Sequence, residues 1–358
     1  MQTVKKTSPY IRKEVSTKRM MTDVIIALLP ATIFAVYRFG TSALVRVLVS
    51  VVVMVLFEAI GFAMMAKAKK NDSFMTRVKT KFKNYRPLNV IIPALSGLIY
   101  GLIIPSELPL YAVVVGAIFG IVVAKMLFGG TGNNIFNVAA AGRAFIGLAL
   151  TAQFIGTYVQ TDLVSGATAL SSFRGSTGFI NTLDSYSILD LFLGNIPGSM
   201  GEISSFAILI GAVYLLVRHS ADIRLILGSL IPFAVLMLIA GFVMYPTHAF
   251  EFTAFHLFSG GIMFGSVFMI TDPVTAPVNG PGRITYGLLF ATVTVLIRLF
   301  GAYPEGVVFS ILFANVFVAL IEYPKWSPHQ FTKKYILIYA SVFIIISFVV
   351  FLGAGGFS

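Results

Sequence analysis

Long apolar runs separated by short polar breaks occupy most of this 358-residue chain. Most are roughly 17 to 25 residues long, enough at about 1.5 Å per residue to cross some 30 Å of hydrocarbon as a helix. No period-two alternation, the mark of a barrel strand, competes with them. The runs predict spans at about 22–38, 42–66, 88–104, 108–127 and 135–155, then at about 204–218, 223–244, 250–271, 282–302 and 305–321. A further apolar stretch covers about 335–352. Between the two groups of five lies a polar segment, 156–203, rich in Ser, Thr, Gly and Asn and too long for a passive turn.

The pattern predicts an all-α polytopic membrane protein of about ten transmembrane helices. Because five is odd, two successive five-helix units cross in opposite senses, the topology of inverted repeats. The expected organisation is a cytoplasmic segment 1–21, a first repeat 22–155, a loop 156–203, a second repeat 204–321 and a C-terminal segment 322–358. The last segment holds the additional apolar helix. It either spans, leaving the C-terminus outside, or lies in the interface or packs as a re-entrant piece, leaving the C-terminus inside. The first twenty residues are polar and lack the apolar core of a signal peptide, so the first helix is expected to stay in the mature chain.

Composition agrees: 57% of residues are apolar, 11% are charged and 33 are Phe, which excludes a water-exposed surface over most of the length. Absence of cysteine excludes disulfides and iron–sulfur ligation by this chain. The net charge of +12 does not indicate nucleic acid, because the basic residues cluster at helix ends. With the N-terminus cytoplasmic, the inward segments hold Lys5, Lys6, Arg12, Lys13, Lys18 and Arg19, the run from Lys67 to Arg86, Lys125, Arg218, Arg224, Arg283, Lys325, Lys333 and Lys334. Outward positions hold only Arg38, Arg46, Arg174 and Arg298, alongside the acids Glu107, Asp162, Asp184, Asp190, Glu202 and Glu305. This asymmetry puts the 156–203 loop on the extracytoplasmic face.

Two spans, the third and the eighth, carry glycines and end near proline, in PALSGLIYGLIIP at 93–105 and SGGIMFGSVFMITDP at 259–273. Either they are interrupted near the midplane, where transporters bind their ions, or their glycines let helices pack closely.

Candidate chemistry sits in the polar breaks. In DLVSGATAL, small neighbours leave the Thr168 hydroxyl accessible, and Gly166 permits a backbone path that a modifying enzyme can accept. The same residues also describe an ordinary Ser/Thr turn. In FGGTGNNIFNVAAAGRAF, Asn133, Asn134 and Asn137 stand at a helix start; one is a cap, and the others offer amides suited to a neutral heterocycle. In TDPVTAPVNGPGR, Asp272 and Arg283 either satisfy each other or cap helices, or else Asp272, a carboxylate near the membrane, has some other partner. Glu58 and Arg143 lie inside spans, and a mutual pair would make them structural. His248, Glu251 and His256 fall near the outer end of the eighth span without metal-ligand spacing. GGTGNN lacks the lysine of a phosphate-binding loop, and no hydrolase triad signature is present.

Four stretches in this order, SPYIRKEVSTKRMMTDVIIALLP, FGGTGNNIFNVAAAGRAF, DLVSGATAL and FMITDPVTAPVNGPGRITYG, carry a resemblance. The chain resembles the D subunits of Rnf ion-translocating electron transport complexes and, more distantly, the B subunits of the sodium-pumping NADH:quinone oxidoreductase. The resemblance implies FMN joined to Thr168 by a phosphoester bond made by a separate flavin transferase, within a motif of Asp162, Ser165, Gly166, Ala167 and Thr168. It also implies a second, noncovalent riboflavin against Asn134 and Asn137, with Asp272 accepting a hydrogen bond from it. The activity implied is a ferredoxin:NAD oxidoreductase that moves Na+ or H+ across a bacterial inner or plasma membrane. This chain would act only with the other Rnf subunits. The stretch 335–352 departs from the ten-helix pattern of that family. A secondary transporter or channel without redox chemistry fits the same spans.

Overall fold

In the computed structural model, residues 16–67, 73–151, 170, 179, 187–196, 198–301, 306–323 and 330–356 are described. Among them every regular element is a helix. Five helices are long and apolar enough to cross a membrane, six if one bent pair is a single span, and four shorter apolar helices accompany them. The chain is a multi-pass membrane protein.

The first two predicted spans form one element, α1 (Thr17–Met65). At about 1.5 Å per residue its 49 residues would reach roughly 74 Å, more than twice the hydrocarbon thickness. Gly40 divides it, with φ 63° and ψ −144°, a conformation only glycine adopts without strain. A short basic helix, α2 (Phe74–Phe82), leads to α3 (Leu88–Leu102) and α4 (Leu110–Ile118). The latter runs on through a π-helical turn, Phe119–Val123. Next come α5 (Val138–Ala149), α6 (Ile188–Leu193), α7 (Ser205–Val217), α8 (Ile223–Met244) and α9 (Ala249–Phe258). The short α10 (Ile262–Phe264) continues as a second π turn, Gly265–Met269. The rest are α11 (Gly280–Phe300), α12 (Val307–Val316), α13 (Val318–Ile321) and α14 (Lys333–Gly355). Side-chain caps start most of the long helices: Ser16, Asn137, Ser204, Asp222, Asn279 and Thr332 each accept a backbone N–H of the first turn.

The expectation of two interrupted spans divides. In the third, the glycines serve close packing: a Cβ at Gly97 would lie 2.7 Å from Val51 Cα and one at Gly101 2.9 Å from Val47 Cα, so α3 seats its backbone against α1. That helix is unbroken but short. It stops at Leu102 and hands over to a buried non-helical run whose carbonyls need partners. Gly201 N–H donates to Leu102 O at 2.7 Å and Met200 N–H to Ile104 O at 3.2 Å. Ser42 and Arg46 bind the same run from α1, the serine donating to Ser106 O and the guanidinium to Leu108 O. The eighth span is broken. Its halves α9 and α10 meet at 59°, and Gly260 and Gly261 have φ of 65° and 73°.

Both halves of the chain repeat one arrangement, a π turn followed by a polar loop and an Asn-capped helix: Phe119–Val123 before Asn137, and Gly265–Met269 before Asn279. The additional apolar stretch is helix α14, which packs on α8 and α11 through Val350 and Ala354. Gly353 lies against Phe300, and Tyr335 donates to Pro281 O at 2.8 Å. Most of its other side chains face outward.

Candidate functional site

A cavity opens where the start of α1, the middle of α3, the start of α5 and the loop after the second π turn converge. Its walls are mainly apolar, among them Met21, Val24, Leu95 and Phe268. Lys125, Asn134, Asn137, Thr271 and Asp272 bring polar atoms to it. An apolar wall with a few convergent polar groups is the lining of a small-molecule site. Asn134, Asn137 and Asp272, expected on one ligand, thus meet in space although 138 positions separate the first from the last.

Their roles are unequal. Asn137 is the expected cap: its amide oxygen accepts Ala140 N–H at 3.1 Å, and its amide nitrogen donates to Met269 O at 3.3 Å. Its own N–H donates to the Asn315 side chain at 3.0 Å, and Asn315 in turn donates to Tyr286 Oη at 2.7 Å and Thr275 O at 3.3 Å. This network ties α5, α11, α12 and the Asp272 loop together. Asn137 therefore shapes the cavity with a side chain already engaged. Asn134 is less committed: its nitrogen donates to Phe136 O at 3.1 Å, while its oxygen has no hydrogen bond among the described residues. Asn133 turns away and donates to Gly129 O.

Asp272 folds its own loop. Its carboxylate accepts Val274 N–H at 3.2 Å and the Thr275 hydroxyl at 3.1 Å. Desolvation pushes its carboxyl above the ordinary carboxylate range, against the pull of those two donors and of Lys125. The expected pairing with Arg283 does not occur. Arg283 instead binds Asp222 and Pro277 O, because its position in the first turn of α11 points it at the cap of α8. Nor do Glu58 and Arg143 pair. Glu58 meets Lys125 at 3.0 Å and accepts the Thr131 hydroxyl at 3.0 Å, whereas Arg143 meets Glu202 at 2.7 Å and Ser199 at 3.1 Å. Each buried charge instead meets a partner from another part of the fold. Lys125, read from the sequence only as an inward topological charge, is 1% exposed and sits on the cavity wall.

A second constellation surrounds the break in the eighth span. Arg298, expected outside, is buried in α11 and donates to the carbonyls of His256, Ser259 and Gly260, with its guanidinium 5.1 Å from the Phe233 ring. It thereby satisfies carbonyls that the end of α9 leaves without helical partners. Across the break the Glu202 carboxylate lies against Gly261, close to the first N–H groups of α10. His256 is buried between Phe252 and Phe255, and His248 lies 4.0 Å from Glu251. Asp162, Ser165, Gly166, Ala167 and Thr168 lie outside the described residues. From the same segment Leu170 is buried beside Gly260, and Phe179 is buried against Tyr245, Phe252 and Phe255. The roles of Asn315 and Arg298, each a single polar residue in an apolar run, and of Leu170, a single apolar residue in a polar segment, carried no sequence signal.

A profile of the NQR2, RnfD, RnfE family matches residues 4–328. The B subunit of the Na(+)-translocating NADH-quinone reductase of Chromohalobacter salexigens is 35% identical over 354 positions, which cover 89% of this chain and 84% of that protein. The protein of the same name from Neisseria meningitidis serogroup B is 33% identical, covering 89% and 87%. That from Klebsiella pneumoniae is 42% identical over 238 positions, covering 64% and 58%.

Proposed function

The chain belongs to the NQR2, RnfD, RnfE family, and from that premise we propose that it is the flavin-carrying membrane subunit of an Rnf-type ferredoxin:NAD oxidoreductase that moves Na+ or H+. The observation that carries this reading is the convergence of Asn134, Asn137, Asp272 and Lys125 on one largely apolar cavity. Asn134 presents an amide to a heterocycle such as riboflavin. Asn137 and Asn315 hold the wall rigid, and Asp272 supplies an acceptor. Lys125 sets a positive charge at the wall, offset from behind by Glu58. Thr168 holds FMN through its hydroxyl as a phosphoester, a bond that a separate flavin transferase makes. Bound flavin supplies one- and two-electron transfer between partner subunits. The chain's own part is to fix position and keep water from the apolar wall, while covalent attachment keeps the carrier from dilution at an outer surface.

A denaturing gel of protein purified from cells that possess the transferase tests the attachment. The wild-type band fluoresces under near-ultraviolet light, Thr168→Val is dark, and intact mass places one FMN on the 156–203 region. A dark wild-type band would sink the reading in favour of a permease. The relatives' names favour a second assembly, NADH:quinone reductase. Membranes containing the complex reduce NAD from reduced ferredoxin under the first reading and reduce quinone from NADH under the second.

A further inference from the structure

The basic helix α2 lies between the first two predicted spans of α1 and the third span, outside both the cavity and the broken helix. From Lys67 to Arg86 the sequence holds eight basic residues against one acid, Asp72. At about 100° per residue, Met75, Val78 and Phe82 fall within one arc of about 60°. Lys79 and Lys83 flank one side of that arc, and Lys81 and Arg77 the other. Phe82 packs 6.4 Å from the Phe62 ring, and Tyr85 packs 5.1 Å from it. Phe62 is in the last turn of α1, so the apolar arc stands level with the end of a span. Along the same arc Met75 is 64% and Val78 36% exposed, and Met64 and Met65 at the end of α1 are exposed as well.

We propose that α2 is a membrane-surface helix that buries Met75 and Val78 at the edge of the hydrocarbon and binds anionic phospholipid headgroups through Lys79, Lys81 and Lys83. An arc of apolar side chains at the depth of a span's end adjoins acyl chains. Lysines on both shoulders extend their stems along that surface and place ammonium groups at the phosphates. An acidic protein would complement the lysines but would leave the methionine and valine beside the hydrocarbon without a partner. Lipid satisfies both. Such a helix also anchors the cytoplasmic connection between α1 and α3, the two elements that form one wall of the cavity.

The chain has no cysteine, so Val78→Cys gives a single labelling site in the full-length protein. It is labelled with an environment-sensitive fluorophore in nanodiscs of phosphatidylcholine with or without phosphatidylglycerol, and doxyl-labelled lipid serves as quencher. Val52→Cys, on the exposed flank of α1, is the inserted reference. The expected result is lipid quenching at position 78 that strengthens with phosphatidylglycerol. Combined Lys79→Gln, Lys81→Gln and Lys83→Gln should shift the buried-to-solvated equilibrium about fivefold per charge removed, while the Val52→Cys signal stays. Free access of an impermeant thiol reagent to position 78, or protection from it without lipid quenching, would overturn the assignment. Quenching indifferent to headgroup and lysine charge would overturn its electrostatic half.

Discussion

Leu170 packs directly against Gly260, leaving no room there for a side chain, so the residue two positions after Thr168 in sequence sits on the break of the eighth span. Gly260 has φ 65°, which costs a non-glycine residue about 1–3 kcal/mol. Gly260→Ala is therefore expected to destabilise by at least that amount, and Leu170→Ala by about 2–5 kcal/mol. The double variant should lose less than the sum, because truncating the leucine makes space for the alanine. Denaturant unfolding of the purified protein measures all three.

Arg143 and Glu202 are 2.7 Å apart, with side chains 5% and 4% exposed. Removing one charge takes a close counter-charge from a buried partner, so Arg143→Met and Glu202→Gln should each cost up to about 3–5 kcal/mol. Replacing both by apolar residues is expected to recover much of the loss. A double-mutant cycle read by unfolding checks this, and additive losses would show that the two residues act independently.

Asn134 and Asn133 are sequence neighbours with different duties. If Asn134 faces a flavin, Asn134→Leu lowers noncovalent riboflavin retention on the order of tenfold or more. Asn133→Leu leaves it near wild type. Flavin released by denaturing the purified protein, and separated from the covalently held fraction, gives the comparison.

Asp272 titrates above its ordinary value of 3.8 because desolvation outweighs its hydrogen bonds. A carboxyl whose pKa is higher folded than unfolded binds its proton more tightly in the folded state. Its favourable contribution is therefore complete below 3.8 and is lost as pH rises through the folded value. Asp272→Asn keeps one acceptor oxygen for Val274 N–H, sets an N–H2 donor opposite the Thr275 hydroxyl oxygen, and removes that loss. It should be more stable than wild type at neutral pH, with the advantage fading as pH approaches 3.8. Unfolding of both proteins across pH 3.5–7.5, a range chosen to bracket about 3.8, supplies the test.

Helix α14 has 23 residues, enough at about 1.5 Å each to cross the membrane. On the expected topology of ten preceding spans with the N-terminus inside, alkaline phosphatase fused after Ser358 should be active, and green fluorescent protein fused there should be dark. The opposite pattern would make α14 an interfacial or re-entrant helix.

Periodicity and charge alone determined that the chain is helical and multi-pass, and the family resemblance carried by its motifs pointed to Asn134, Asn137 and Asp272, positions that share a cavity. These properties are local: an apolar run of sufficient length must be a helix in lipid, and an asparagine before such a run caps it. Which buried charge meets which was decided only by tertiary structure. Glu58 chose Lys125 and Arg143 chose Glu202, because pairing depends on depth and facing across helices distant in sequence. The same holds for the glycines. PALSGLIYGLIIP and SGGIMFGSVFMITDP look alike as strings, yet Gly97 and Gly101 meet the backbone of α1, while Gly260 and Gly261 take positive φ and break the helix. Glycine permits both close approach and a left-handed turn, and only the neighbour present at each site selects between them.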